Sequence, residues 1–229
     1  MLKLFAIVPI KKFESAKSRL GSVLSIDERI MLSQLLFEDT LKILKNVAVI
    51  SEIVVVSSDK EAKKIAEQYG ITFLKEHLEK GVNAAVKVAD EYSIKAKADA
   101  TIVVPQDLPL LTVDDIATMY QILKAHDKCL IICPSTRFDG SNLLARKPPQ
   151  LLPSTSYDVK KNSYYMHISS AMKLGVYVRI FLSHGAMKDI DTPDDVESII
   201  SELNDIDRPS SQTYSSALFY LKSKFFQVK

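Results

Sequence analysis

Short apolar runs alternate with amphipathic stretches along the first two thirds of the chain. Residues 4–9 form a continuous apolar run, typical of a central strand buried on both faces of a parallel sheet. Residues 27–46 carry apolar positions at helical spacing, and Ser25 stands where an N-cap is expected. The pattern predicts strands at residues 4–9, 53–56, 72–74, 100–105 and 129–133, and helices at residues 27–46, 59–70, 81–98 and 112–124. This alternation predicts a doubly wound α/β fold, with a mostly parallel sheet and helices on both faces.

The pattern becomes less regular after Pro134. Residues 134–162 form a polar, proline-containing stretch that is longer than an ordinary connection, which favours a functional insertion. Beyond it, the pattern predicts strands at residues 143–145 and 176–181 and helices at residues 163–173 and 192–203, with Thr192 as the last N-cap. We therefore assign residues 1–206 to one domain and residues 207–229 to a C-terminal tail.

The tail combines a polar, linker-like stretch with apolar residues at helical spacing between Ala217 and Phe226. A helix of this length is not stable alone in water, so its apolar side must pack on something. Most soluble oligomers have two-fold symmetry, and we therefore predict a homodimer built through the tail. Packing of the tail on its own domain is the alternative.

Composition limits the classes of partner. The chain has 229 residues, of which 47% are hydrophobic, and a net charge of +2, too small to indicate nucleic acid or an anionic membrane as the partner. There is no long apolar run, and Met1 leads directly into the first strand, so we expect a cytoplasmic protein. Cys129 and Cys133 lie on one face of a predicted strand and are interpreted as buried thiols.

A basic loop follows the first strand. It contains Lys11, Lys12, Lys17 and Arg19 against the single carboxylate Glu14. Because ligands of open α/β sheets bind outside the carboxyl ends of the strands, the loop is a candidate site for an anion such as a triphosphate. A solvated turn with scattered lysines is the alternative.

Two aspartates are candidates for a metal site. Asp107 follows a predicted buried strand and lies between two prolines, and Asp191 directly precedes the cap Thr192. Mg²⁺ prefers oxygen ligands and commonly takes one or two carboxylates, with water and substrate phosphates completing its shell. A carboxylate pair beside a basic loop is therefore consistent with metal-assisted chemistry on a phosphate. The alternative is that both aspartates only terminate secondary structure.

Six motifs together resemble the CofC family of 2-phospho-L-lactate guanylyltransferases. They are Pro-x-Lys at 9–11, Lys-Ser-Arg-Leu at 17–20, Gly-Val-Asn-Ala-Ala at 81–85, Pro-Gln-Asp-Leu-Pro-Leu at 105–110, Arg-Phe-Asp-Gly-Ser-Asn-Leu-Leu at 137–144 and Asp-Ile-Asp-Thr-Pro-Asp-Asp at 189–195. The resemblance runs from about residue 4 to residue 204. It implies a nucleotide-diphospho-sugar transferase-like fold and guanylyl transfer from GTP to 2-phospho-L-lactate, in the biosynthesis of a deazaflavin coenzyme.

The resemblance also implies residue roles. Catalysis would depend on Lys17, Arg19 and Asp107, and Mg²⁺ would be held by Asp107 and Asp191. The residues implied to bind GTP are Pro9, Lys11, Lys17, Arg19, Asn83 and Asp107. Those implied to bind the acceptor are Ser141, Asn142, Asn162, Ser163 and His167, although His167 fits a core histidine equally well.

The sequence departs from the family pattern in two segments. Lys160 and Lys161 stand where relatives commonly have Gly-Pro or Gly-Ala, and Tyr165 stands where an arginine is expected. Either Lys160 supplies the cation that Tyr165 cannot, or the acceptor differs from that of the family, with phosphoenolpyruvate as the alternative. The same fold class would also suit a nucleotidyltransferase acting on molybdopterin, a metal-dependent glycosyltransferase, or a non-catalytic nucleotide-binding module.

Overall fold

A computed structural model describes residues 1–76, 81–152, 162–205 and 215–226. In this part of the chain the strands form one seven-stranded sheet, ordered β3-β2-β1-β4-β6-β5-β7. The strands are β1 (Leu4–Ile10), β2 (Ile50–Ser57), β3 (Thr72–Lys75), β4 (Ala100–Val103), β5 (Cys129–Pro134), β6 (Ser141–Lys147) and β7 (Tyr177–Ile180). The helices are α1 (Ile26–Lys45), α2 (Lys60–Gln68), α3 (Val82–Lys95), α4 (Val113–Ala125), α5 (Ser163–Lys173), α6 (Pro193–Asp205) and α7 (Ser216–Phe226).

β1 lies near the middle of the sheet and is buried on both faces, as its apolar sequence predicts. Leu4, Ala6 and Val8 face a core that also contains residues of α1, α2 and α4. Phe5 and Ile7 face the opposite core, which contains residues of α3 and α5. The sheet therefore lies between two helical layers, and the predicted doubly wound α/β architecture is confirmed.

Three predicted helix starts are confirmed by their caps. The Ser25 side chain accepts a hydrogen bond from the Glu28 backbone, and Thr112 caps α4 in the same way through Asp115. Thr192 Oγ1 accepts from the backbone N of Asp195 at 3.4 Å, just before α6. Each cap satisfies a backbone N–H that a helix start would otherwise leave without a partner.

β6 is the strand that runs against its neighbours. It is longer than the predicted 143–145 segment and pairs antiparallel with both β4 and β5, whereas the other pairings are parallel. Because of this direction, β6 begins at the sheet edge where β4 and β5 end. Ser141 and Asn142, its first two residues, therefore lie at the carboxyl edge of the sheet.

The C-terminal helix packs on its own chain. Ala217, Leu218 and Leu221 are buried in a third cluster, which also contains residues of α1 and α6. The backbone N of Ala217 donates to Asp39 Oδ2 of α1 at 2.8 Å, and Lys224 pairs with Glu28. This contact is the alternative that the tail sequence left open, and the homodimer stays a prediction.

Two further expectations can be compared with the structure. Cys129 and Cys133 are free, buried thiols in the same core, as predicted. No helix within the described residues has both the length and the apolar character required to span a membrane. Lys160 and Lys161 lie outside the described residues.

Candidate active site

The basic loop and Asp107 meet because their strands are neighbours. β1 and β4 are paired in parallel, and both end at the same edge of the sheet. The basic loop leaves β1 at Lys11, while the segment 104–111 leaves β4 and carries Asp107. Two buried strands therefore deliver cations and a carboxylate to one place, as expected at the carboxyl edge of an α/β sheet.

Lys17 is at the centre of this site. Its ammonium Nζ lies 2.8 Å from Asp107 Oδ2 and 3.3 Å from Asp191 Oδ1. The side chain is only 4% exposed, and the backbone has the left-handed φ of 53°, which is uncommon for a residue other than glycine. Lys17 therefore joins two acidic residues that are 84 positions apart in the chain, in a conformation that the surrounding contacts must stabilise.

Opposing effects act on the pKa of Lys17. Burial lowers this pKa, because a charged ammonium loses its hydration. The negative charges of Asp107 and Asp191, together with their hydrogen bonds, outweigh burial and raise the pKa above its ordinary value. Lys17 is consequently a permanent cation between two carboxylates.

Other cations of the loop remain accessible. Arg19 Nη1 lies 3.3 Å from Asp191 Oδ2, yet the Arg19 side chain is 69% exposed. Lys11 is exposed just beyond β1, and Pro9 is half-buried near the end of that strand. Arg19 and Lys11 can therefore reach an anionic ligand from solvent.

Asp191 reaches the site through the loop between β7 and α6. This loop begins after β7, the outermost strand on one side of the sheet, where the backbone N of Phe181 donates to Ile132 O at 2.8 Å. It continues past β6, where Asn142 Nδ2 donates to Ala186 O at 3.1 Å. It then meets the turn after β4, where the backbone N of Ile190 donates to Asp107 O at 3.0 Å. These contacts bring Asp191 beside Asp107.

Asp189 and Arg137 belong to the site but were not predicted. Asp189 Oδ1 accepts from Asn142 Nδ2 at 3.4 Å, and the guanidinium of Arg137 lies 4.0 Å from Asp189 and 2.9 Å from Asp195. Burial and the nearby charge of Asp107 raise the pKa of Asp189 to about 6. The alternation Asp-Ile-Asp at 189–191 is the sequence signal that could have identified Asp189, because it puts the two carboxylates in one short loop.

Four of the predicted acceptor residues form a second group. Ser141 Oγ lies 2.9 Å from His167 Nδ1 and 3.4 Å from Ser163 Oγ, and Asn162 caps α5. His167 is fully buried, and burial together with the positive charge of Arg146 lowers its pKa to about 3. Its imidazole is therefore neutral at ordinary pH and is hydrogen-bonded to the Ser141 hydroxyl.

Asn142 connects the two groups, because it follows Ser141 and contacts Asp189. Asn83 lies in the first turn of α3 and is half-buried, and α3 packs against β1 and β2. Tyr165, where an arginine was expected, is 62% exposed on α5. The roles of these residues stay predictions.

The available carboxylates suit a Mg²⁺ ion that also binds substrate phosphates and water, rather than a metal ion bound only by protein side chains. Among the described residues, no group of three or more histidine, cysteine, aspartate or glutamate side chains is arranged to hold a metal ion. Asp107 and Asp191, however, both contact one ammonium, so their carboxylates lie close enough to share a cation. Two carboxylates are what Mg²⁺ commonly takes from a protein when a substrate supplies phosphate oxygens.

Both the sequence and the fold of the chain have counterparts among known proteins. A family model described as "Guanylyl transferase CofC like" matches residues 4–223. A 2-phospho-L-lactate guanylyltransferase of Methanocaldococcus jannaschii is 32% identical over 231 residues, covering 100% of this chain and 92% of that protein. A phosphoenolpyruvate guanylyltransferase of Rubrobacter xylanophilus is 30% identical over 195 residues, covering 85% and 92%. A solved structure from Desulfovibrio desulfuricans, provisionally described as a nucleotide-diphospho-sugar transferase, has a TM-score of 0.79 at 16% identity and covers 98% and 96% of the two chains.

Proposed function

Because the chain belongs to the family of CofC-like guanylyl transferases, we propose that it transfers GMP from GTP to 2-phospho-L-lactate. The convergence of Lys17, Asp107 and Asp191 at the carboxyl edge of β1 and β4 carries this proposal. A non-catalytic nucleotide-binding module would not need two carboxylates held against a buried cation. The relative from Methanocaldococcus jannaschii, which aligns with the whole chain, supports this choice of acceptor.

The proposed reaction is a displacement at the α-phosphorus of GTP. A phosphate oxygen of 2-phospho-L-lactate forms a bond to this phosphorus, and the bond from the α-phosphorus to the oxygen that bridges it to the β-phosphorus breaks. Pyrophosphate leaves with that oxygen and its electron pair, and the other product is lactyl-2-diphospho-5′-guanosine. A phosphate monoester is largely ionised at neutral pH, so the acceptor needs no general base.

Charge stabilisation is the main task left to the protein. Arg19 and Lys11, both exposed beside the site, would bind the triphosphate and stabilise the negative charge that develops on the leaving pyrophosphate. Lys17, which is buried beside Asp107 and Asp191, would stabilise the same negative charge from the interior side of the site. Asp107 and Asp191 would hold Mg²⁺, which supplies further neutralisation of the triphosphate when bound.

The acceptor would bind on the side of Ser141 and Ser163. Their hydroxyls meet at 3.4 Å, and Ser163 begins α5, whose N-terminal amides favour an anion. Asn142, the residue of β6 that follows Ser141, contacts Asp189 of the carboxylate cluster. The acceptor's phosphate would thus lie beside the nucleotide, as the displacement requires.

Phosphoenolpyruvate is the second candidate acceptor. It is favoured by the relative from Rubrobacter xylanophilus and by the departure at Tyr165 from the expected arginine. Both acids carry one phosphate and one carboxylate, and they differ in the planar carbon of phosphoenolpyruvate. The same reaction chemistry applies to either acid. We further propose that the reaction takes place in the cytoplasm, in deazaflavin coenzyme biosynthesis.

Pyrophosphate release measured with a panel of substrates tests the proposal. We expect release with GTP and 2-phospho-L-lactate in the presence of Mg²⁺, and a loss of at least about 100-fold in kcat for Asp107→Asn, which keeps the side chain's shape but removes its charge. A higher kcat/KM for phosphoenolpyruvate than for 2-phospho-L-lactate would identify phosphoenolpyruvate as the acceptor, and the proposed reaction class would stay the same. No release from GTP with any phosphorylated acid would contradict the proposed function.

A further inference from the structure

The loop that carries Asp191 touches the turn that carries Asp107 at a second place, backbone against backbone. A Cβ atom added at Gly185 would lie 2.1 Å from the carbonyl O of Leu110 and 2.8 Å from its carbonyl carbon. Carbon atoms in ordinary contact are about 3.5–4.0 Å apart. Any side chain at position 185 would therefore force the two segments apart by about 1 Å or more.

The turn after β4, which carries Asp107, and the loop between β7 and α6, which carries Asp191, contact each other at two places. At one, Gly185 contacts Leu110, and at the other the backbone N of Ile190 donates to Asp107 O at 3.0 Å. Asp191 directly follows the second contact, and its carboxylate shares Lys17 with Asp107. The distance between the two segments therefore sets how the carboxylates face each other.

The other contacts of the loop leave it little freedom to move elsewhere. Asn142 Nδ2 donates to Ala186 O at 3.1 Å, and the backbone N of Thr136 donates to Met187 O at 3.0 Å. Ala186 and Ile190 are fully buried. The start of the loop, before Gly185, is fixed by the hydrogen bond from Phe181 N to Ile132 O. Because the loop is held both there and after Gly185, a displacement at position 185 would be transmitted to Asp189 and Asp191.

We propose that Gly185 is a positioning residue for the carboxylate pair of the active site. Its missing side chain lets the two loops approach closely enough for Asp107 and Asp191 to hold one divalent cation together. This inference rests on the proposed function only in taking that cation as the metal of the reaction. Gly185 itself would touch neither metal nor substrate.

Metal binding to the free protein tests the inference directly. We expect Gly185→Ala to weaken Mn²⁺ binding, measured by electron paramagnetic resonance without nucleotide, by about 10-fold to 100-fold, the range found when groups that orient metal ligands are lost. We also expect kcat for pyrophosphate release to fall by about 100-fold, as for a displacement of about 1 Å at a catalytic group. A smaller folded fraction would lower the number of Mn²⁺ sites but not the affinity of each.

The matched control is Gly21→Ala. Gly21 lies in the 3-10 turn Ser18–Ser22, and a Cβ atom there has nothing within 4 Å, so Mn²⁺ affinity should not change. A folded Gly185→Ala protein with the parental Mn²⁺ affinity would overturn the inference. If the parental protein binds Mn²⁺ only when a non-cleavable GTP analogue supplies phosphate oxygens, the two proteins are compared in that complex, and equal affinities there, or no Mn²⁺ binding by the parental protein in either state, would also overturn it. If Gly185→Ala does not fold, Asn142→Ala removes the bond to Ala186 O without adding an atom, and unchanged Mn²⁺ affinity in that variant would also overturn it.

These outcomes are separate from failure of the proposed function. A parental protein that binds Mn²⁺ but releases no pyrophosphate from GTP would contradict guanylyl transfer, while the Gly185 comparison would still decide the positioning role.

Discussion

Lys17 is buried although it belongs to a basic loop, whereas Arg19 two residues later is largely exposed. The charge of Lys17 is compensated by Asp107 and Asp191, and these carboxylates also restrict where the ammonium can lie. Removing it would leave two acidic side chains facing each other without a cation. The structure therefore predicts a larger effect for Lys17 than for the more exposed cations of the loop.

We expect Lys17→Ala to lower kcat by about 100-fold to 1000-fold, the loss seen when a group that stabilises developing charge is removed. Steady-state kinetics with GTP varied will measure it. Lys63→Ala on α2, where the side chain is 55% exposed, is the control and should be neutral. An effect on the KM of the acceptor alone would mean that the triphosphate does not bind at this loop.

His167 predicts a dependence of stability on pH. Its pKa is about 3 in the folded protein and about 6.5 in an unfolded chain. Between these pH values the unfolded chain binds more protons, so this contribution to stability is lost as pH falls below about 6.5. At pH 5 the loss is about 2 kcal/mol.

Urea unfolding at pH 7 and pH 5 measures this effect. Because carboxylates also titrate in this range, the parental protein should be compared with His167→Gln, which has no imidazole to protonate. We expect the parental protein to lose more stability on acidification than the variant. Equal losses in both proteins would show that the protonation of His167 does not differ between the folded and unfolded states.

At the scale of single residues, the sequence predicts which side chains belong to the site better than it predicts which residues they contact. Lys17 and Asp107 are indicated by charge that follows predicted strands, and Asp191 by its position before the helix cap Thr192, and the structure brings all three together. Arg137 was missed because its contact with Asp195 joins positions 58 residues apart, and no local pattern records such a pair. For His167 the sequence left acceptor binding and a place in the core as alternatives, and the structure buries the residue with its ring against Ser141.

Among the elements, α7 links the tail to the site. It packs on α1 and α6, and the same cluster contains Leu20 of the basic loop and Ile190 next to Asp191. The C-terminal helix thus supports both segments that meet at Lys17. This role explains why a helix that would be marginal in isolation can be stable here.

A pair of substitutions in α7 tests this packing. Leu221 is fully buried, so we expect Leu221→Ala to lower the free energy of unfolding by about 2–5 kcal/mol. Ser223 is exposed on the same helix, and Ser223→Ala should change it by less than about 0.5 kcal/mol. Denaturant unfolding gives both values, and equal effects would contradict the observed docking of α7.

Element type was predictable from the sequence, but the place of β6 between β4 and β5 in the sheet was not. The apolar run of β1 and the helical spacing of α1 determine type locally, and both elements are found where predicted. Only six residues separate the end of β5 from the start of β6, and so short a connection allows only antiparallel pairing of the two strands, whereas the pairing of β6 with β4 joins segments that are distant in sequence. Because β6 runs antiparallel to β4 and β5, its first residues, Ser141 and Asn142, lie at the carboxyl ends of these strands, beside the candidate active site.

At the scale of the whole molecule, the homodimer remains to be tested. One side of α7 packs against α1 and α6, but Phe219 of the same helix remains 70% exposed. We expect the chain to sediment at twice its mass of 25.6 kDa, and Phe219→Ser to convert it to a monomer. This substitution is preferable to truncation, which would also uncover Leu32 and Leu36 of α1. A parental monomer would contradict the prediction.

The most direct test of the account follows the α-phosphate of GTP. GTP labelled at this position is incubated with the protein, Mg²⁺ and 2-phospho-L-lactate, and the products are separated. Guanylyl transfer predicts that the label enters a product that forms only when the acid is present, with one pyrophosphate released for each product molecule, and that Asp107→Asn forms almost none. Label that stays in GTP, GDP or GMP irrespective of the acid would contradict the account.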